Sequence, residues 1–154
     1  VILKQRDIEG GKAQIAHLKN MAREAGREVK SWIHVYVVCR ETEKEAKDYL
    51  NHYVVEKGDY EAVNNLLDIF GMQSETLPNE VLDEFRFHFI AGHGGYPLVG
   101  TPEQIVEEIS KLIEIGVDGM LISWVDYKTE CKQWIEQVLP LMEQAGQREQ
   151  FQPG

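Results

Sequence analysis

Gly100-Thr101-Pro102-Glu103-Gln104, followed by Ile105, Ile109, Leu112 and Ile113 and then by Gly116-Val117-Asp118-Gly119-Met120-Leu121-Ile122-Ser123-Trp124, decides how this chain folds. Thr101 is a residue type that caps helices through its side-chain oxygen. Pro102 suits the first helical position because its missing N–H would have no partner there, and Gln104 completes a capping box. The apolar residues recur at helical spacing until Gly116 stops them. Met120 to Trp124 is then a short continuous apolar run, the pattern of a strand buried on both faces of a parallel sheet. A helix feeding directly into such a strand is half of an α/β crossover.

The same alternation continues on either side. Downstream, Val125-Asp126-Tyr127 leads into Trp134, Val138, Leu141 and Met142, an amphipathic helix, and the polar tail from Gly146 is expected to fray. Upstream, Trp32-Ile33-His34-Val35-Tyr36-Val37-Val38-Cys39 reads as a buried strand. Strand side chains alternate, so Ile33, Val35, Val37 and Cys39 make one wholly apolar face, while Trp32, His34, Tyr36 and Val38 put aromatic and titratable groups on the other. Thr42 caps the following helix and Glu45 closes its capping box. A helix from Ile8 to Ala25 precedes the strand, with Gly26 just past its end. Between the two strands, residues 43–70 are helical with a break at Lys57-Gly58-Asp59, and a further helix runs from Pro78 to Phe89. An excursion of this length inside a compact fold is usually functional.

Only two convincing strands are present, with Val1-Ile2-Leu3 as the stub of a third. A parallel sheet needs both faces covered and its interior edges paired. The expectation is therefore an α/β chain forming the C-terminal part of a (β/α)8 barrel, with a helical insertion before the last βα unit. Residues 1–154 make one domain, within which 43–99 form the helical insertion and lid loop. The chain opens on Val rather than Met, which adds to the expectation that earlier strands come from elsewhere.

Composition bounds the partners. A formal net charge of -10 and the absence of any basic run argue against nucleic acid, whose affinity rests on clustered Lys and Arg. No apolar stretch approaches the roughly 20 residues that span a bilayer, and no signal-peptide pattern opens the chain, so a soluble cytoplasmic protein is expected. Cys39 and Cys131 lie in unrelated segments and suggest neither a disulfide framework nor a metal site.

Several residues carry possible chemistry. Ala91-Gly92-His93-Gly94-Gly95-Tyr96-Pro97 sets three glycines around a His just before a capped helix, where a substrate or anion can approach the backbone; a flexible connector explains the segment equally well. It matches neither the Walker A pattern nor the dinucleotide fingerprint. His34 and Tyr36 read either as hydrogen-bonded core residues or, in a barrel, as rim residues of an active site. Trp124 and Tyr127 follow the last strand and would face the same rim, where they line a pocket or plug the barrel. His88 and His93 are not on one helical face, so no metal site is expected. The acidic stretches of Glu41 to Glu45 and Glu103 to Glu108 are taken as solvated helix surfaces.

Two segments resemble the closing part of the bacterial-luciferase-like flavin monooxygenases. One is His34-Val35-Tyr36-Val37-Val38-Cys39-Arg40-Glu41-Thr42-Glu43-Lys44-Glu45-Ala46. The other runs from Ala91 to Gln104, then Gly116 to Gly119, Trp124 to Tyr127 and Val138-Leu139-Pro140-Leu141. The likeness covers nearly the whole chain and points to the subgroup acting on sulfones, alkanesulfonates and pyrimidines. It implies oxygenation of a small substrate with O2 and reduced FMN, the flavin being supplied by a separate reductase, in a homo-oligomer. In the alkanesulfonate branch an Arg and a His stand where this chain has His34 and Tyr36. That loss of a permanent cation favours a neutral substrate such as a sulfone.

The resemblance implies His34, Tyr36 and His93 as catalytic residues. It implies Gly94, Gly95, Tyr96, Trp124 and Tyr127 as substrate or lid residues, in a loop that closes over the site and excludes water. Most flavin contacts would come from strands this chain lacks. Two alternatives stay open: a non-catalytic α/β assembly domain that completes a sheet with another chain, and a deazaflavin-dependent oxidoreductase of the same fold.

Overall fold

Trp32–Cys39 (β1) is the spine of a parallel sheet of three strands in the order β2-β1-β3, with β2 at Tyr96–Gly100 and β3 at Gly119–Ser123. The computed structural model describes residues 8–72, 77–150 and 152. The stub Val1-Ile2-Leu3 lies outside the described residues. The helices are Ile8–Glu24 (α1), Glu43–Asn51 (α2), Tyr60–Ile69 (α3), Asn79–Gly92 (α4), Pro102–Glu114 (α5), Tyr127–Gln133 (α6) and Leu139–Gln144 (α7). Wider π turns at His52–Glu56 and Trp134–Val138 extend α2 and α6.

Both capping boxes read from the sequence form. Thr42 Oγ1 accepts the Glu45 N–H at 3.2 Å, Thr101 Oγ1 accepts the Gln104 N–H at 3.4 Å, and each N3 side chain reaches back to its cap. The break at Lys57-Gly58-Asp59 is real because Asp59 caps α3, accepting the Ala62 N–H at 2.9 Å. The tail does not simply fray beyond Gly146: Gln147 Nε2 donates to Val106 O at 2.9 Å and to Ser110 Oγ at 2.7 Å, which pins it to α5.

The two faces of β1 divide as their alternation dictates. Ile33, Val35, Val37 and Cys39 join Leu98 of β2, Ile105, Ile109 and Leu112 of α5, and Trp134, Val138 and Met142 in the main core. Tyr36 and Val38 join Ala46, Val54 and Ala91 in a second cluster beneath α2 and α4. α1 is held at the opposite end of the sheet, where Lys19 Nζ meets Gly116 O at 2.8 Å and Asp118 at 2.7 Å. Asp118 also accepts the Ser31 N–H at 2.7 Å.

Two features depart from expectation. Tyr96–Gly100 is a strand rather than the end of a lid loop, so within the stretch expected as insertion over 43–99 the last helix ends at Gly92 and the chain returns to the sheet at Tyr96. Consecutive strands of a closed barrel lie side by side, whereas here β1 stands between the other two. β2 pairs with Val35 to Cys39 on one edge of β1, and β3 pairs with Trp32 to Tyr36 on the other, so one eight-residue strand serves two five-residue partners. β3 is left thinly covered, with Leu121 66% and neighbouring Trp32 59% exposed on the face that carries His34.

Candidate functional site

A cavity of about 360 Å3 opens where β1 and β3 meet the end of α4. Its lining includes His34 and Tyr36 from β1, Tyr53 from the π turn, Ile90 to His93 from α4 and its cap, and Ser123, Trp124 and Val125 from the end of β3. Polar groups gather here because β1 and β3 pair in register, His34 beside Leu121 and Tyr36 beside Ser123, which puts all four side chains on one face.

His34 Nε2 lies 3.1 Å from Ser123 Oγ, and Ser123 donates its own proton to Val35 O at 3.2 Å. With that hydroxyl proton committed, the imidazole is the donor, and Nδ1 carries the lone pair. Burial holds the His34 pKa below the ordinary histidine value, and the neighbouring His93 lowers it further. Both effects favour the neutral form of His34. Tyr36, 2% exposed, shares a 2.9 Å hydrogen bond with His88 Nδ1 on α4. Tyr53 donates to Ala91 O at 3.0 Å, and burial pushes its hydroxyl pKa well up, so it stays protonated.

Gly92 has a defined reason to be glycine. A Cβ there would sit 2.3 Å from Tyr36 Cβ, so only glycine lets α4 close on the strand. His93 then ends the helix in the left-handed conformation, φ 54°, ψ 37°, which a side chain disfavours. Its ring stands edge-on to Phe89, centroids 5.9 Å apart. A non-glycine residue held at positive φ beside a cavity is the kind of local strain that clusters at functional sites.

Of the residues singled out in the sequence, His34, Tyr36, His93 and Trp124 come together on this lining. Gly95 sits behind His34, where an added Cβ would fall 2.9 Å from Nδ1, and Gly94 turns the chain at φ 74°. Tyr127 is exposed and stands edge-on to Trp124 at 5.4 Å. Tyr96 is corrected. It is buried on the opposite face of the sheet in register with Val35, its hydroxyl bonded to Glu108 of α5, so it does not belong to a lid. Sequence reasoning missed Ser123, Tyr53 and His88. Ser123 was discoverable from strand alternation once its register with Tyr36 was known; the other two approach from helices whose docking no spacing reveals.

The residue matches place the chain among known proteins. The luciferase-like monooxygenase family matches residues 1–119. The chain belongs to the luciferase-like monooxygenases. Within them it is 30% identical over 140 residues to an FMNH2-dependent dimethylsulfone monooxygenase of Pseudomonas fluorescens (strain Pf0-1), covering 88% of this chain and 38% of that protein. It is 31% identical over 146 residues to the enzyme of the same name from Pseudomonas putida, covering 91% of this chain and 40% of that one. The crystal structure of DmoA from Hyphomicrobium sulfonivorans shares the fold at TM-score 0.73 and 17% identity, over 96% of this chain and 38% of that chain. This luciferase-like chain thus spans about two fifths of the length of the curated relatives it matches.

FMN carries a phosphate, which calls for cations or converging N–H groups. The cavity lining contains neither Lys nor Arg. These residues do not fit the cofactor's phosphate end. An apolar wall with a few neutral hydrogen-bonding groups fits a small uncharged ligand. Among the described residues no group of three or more His, Cys, Asp or Glu is placed to hold a metal ion, and no helix is long and apolar enough to cross a membrane.

Proposed function

We propose that the full-length protein is a monooxygenase that uses reduced FMN and O2 to oxygenate a small neutral organosulfur compound such as a sulfone, and that this chain supplies the substrate side of its site. One observation carries the reading. The lining pairs a neutral imidazole, His34, with the Tyr36 hydroxyl and an aromatic wall at Trp124, in a chain about 30% identical to dimethylsulfone monooxygenases. A sulfone oxygen is an acceptor without net charge. A lining without net charge can take it without the permanent cation that a sulfonate would demand.

His34, Tyr36 and His93 are the residues proposed to contact the substrate. Gly94 and Gly95 allow the chain around His93 to shift over it, Trp124 forms the apolar wall, and Tyr127 packs behind Trp124 at the rim. Reduced FMN supplies the electrons for O2 and is held chiefly by residues outside this chain. The exposed face of Leu121 and Trp32 and the open edge of β3 support a larger barrel in which further strands cover them. The separate flavin reductase, the homo-oligomer and the cytoplasmic location belong to the same proposal.

The test is incorporation of 18O from 18O2 by the full-length protein supplied with FMN, a reductase and dimethylsulfone. One labelled oxygen in the product, formed only when protein and substrate are both present, is the expected result. No substrate-dependent label from sulfones, with label from alkanesulfonates instead, would overturn the neutral-substrate reading; no label from either would overturn the monooxygenase.

A further inference from the structure

The segments that follow β1 and β3 are tied together by one ion pair whose carboxylate is buried. Glu130 of α6 is 6% exposed, and its Oε2 accepts the N–H groups of Val125 at 3.1 Å and Asp126 at 2.9 Å. Its Oε1 accepts from Arg40 Nη2 at 2.9 Å. Arg40 Nη1 donates to Cys39 O at 2.6 Å, the Arg40 backbone N–H donates to Gly100 O at 3.1 Å, and the guanidinium lies 3.9 Å over the Tyr49 ring. The pair thereby ties the C-terminal end of β1 to the segment that follows β3.

We propose that Arg40 and Glu130 are positioning residues that set the backbone of residues 124–126 and, through it, the Trp124–Val125 wall of the cavity. Withdrawing the Glu130 carboxylate from water is costly, and a well-packed apolar residue would often stabilise as well, so the pair is a poor device for stability alone. Its geometry is specific to the loop. The carboxylate spends one oxygen on two successive backbone N–H groups that no helix or strand satisfies, and those N–H groups belong to Val125, which lines the cavity, and Asp126, which caps α6. An ordinary capping box would reach only the cap residue and would need no cation from another element.

The pair can be tested by amide hydrogen exchange and by kinetics on the full-length protein; only the kinetic arm rests on the monooxygenase reading. Losing two hydrogen bonds to a charged acceptor in Glu130→Ala should speed exchange at Val125 and Asp126 by about ten-fold or more, while the Val37 and Leu98 amides change less than about three-fold. Even acceleration across all four amides, or none at Val125 and Asp126, overturns the proposal. Should Glu130→Ala fail to fold, Arg40→Lys carries the same comparison, since it keeps the charge but loses the forked geometry and the stack on Tyr49.

In the kinetic arm, Glu130→Gln should raise KM for dimethylsulfone about five-fold with kcat held within about two-fold, the pattern of a displaced binding wall. Equal loss in kcat and kcat/KM, or no change in either, counts against positioning. A wild-type protein that does not turn over dimethylsulfone sinks the substrate reading, and the exchange comparison alone then decides the pair.

Discussion

His34 and Ser123 are joined across β1 and β3 by a 3.1 Å hydrogen bond whose direction is set by Ser123 donating onward to Val35 O. The consequence is that the imidazole donates from Nε2.

His34 titrates below the ordinary value, through burial first and His93 second, and this has a sign that can be checked. The unfolded chain takes up a proton near pH 6.5 while the folded one resists it to lower pH. The stability linked to His34 is therefore complete above about pH 6.5 and is lost as pH falls through the lower folded value. Urea midpoints at pH 7.5 and 5.0 should fall less steeply with acid in His34→Gln than in the wild type. An NMR titration should also show the His34 pKa rising in His93→Gln. Equal acid slopes would mean that His34 is not the group responsible.

Tyr36→Phe removes the hydroxyl bonded to His88 and should cost about 1 kcal/mol of stability. If the hydroxyl also faces the substrate, the pH dependence of kcat/KM for dimethylsulfone moves with it. A lower denaturation midpoint with an unaltered pH profile would assign Tyr36 to the core alone.

Gly92 and His93 are neighbours with opposite expectations. Gly92→Ala drives a methyl to 2.3 Å from Tyr36 Cβ and should destabilise by about 1–3 kcal/mol, read as a lower Tm. His93→Gly relieves a left-handed side-chain residue and should stabilise by about 1 kcal/mol, while turnover falls because the imidazole is gone. Higher Tm with undiminished kcat would remove His93 from the site.

Tyr96→Phe loses the bond to Glu108 and should cost about 1 kcal/mol in unfolding free energy while leaving kcat/KM within about two-fold. A large kinetic loss would return Tyr96 to the substrate side.

Much of this molecule is legible one residue after another. The helix from Pro102 to Glu114 needs only Thr101, Pro102, Gln104 and the spacing of Ile105, Ile109 and Leu112, because capping and amphipathicity are local. The division of β1 into a Val35 face and a Tyr36 face follows from the two-residue period of a strand. β2 escaped notice because Pro97 and Gly100 disguise five residues as a loop; on an edge strand both are tolerated.

What the sequence alone determined is therefore the main helices, two of the three strands, the apolar and polar faces of β1, and the family. Tertiary structure decided the rest: that β1 stands between β2 and β3, that Tyr96 turns from the cavity to Glu108, and that Ser123, His88 and Glu130 reach partners 52 to 90 residues away. Those partnerships depend on register and on how helices dock. Register and docking are settled by the packing of the whole core, not by the spacing of neighbours in the chain.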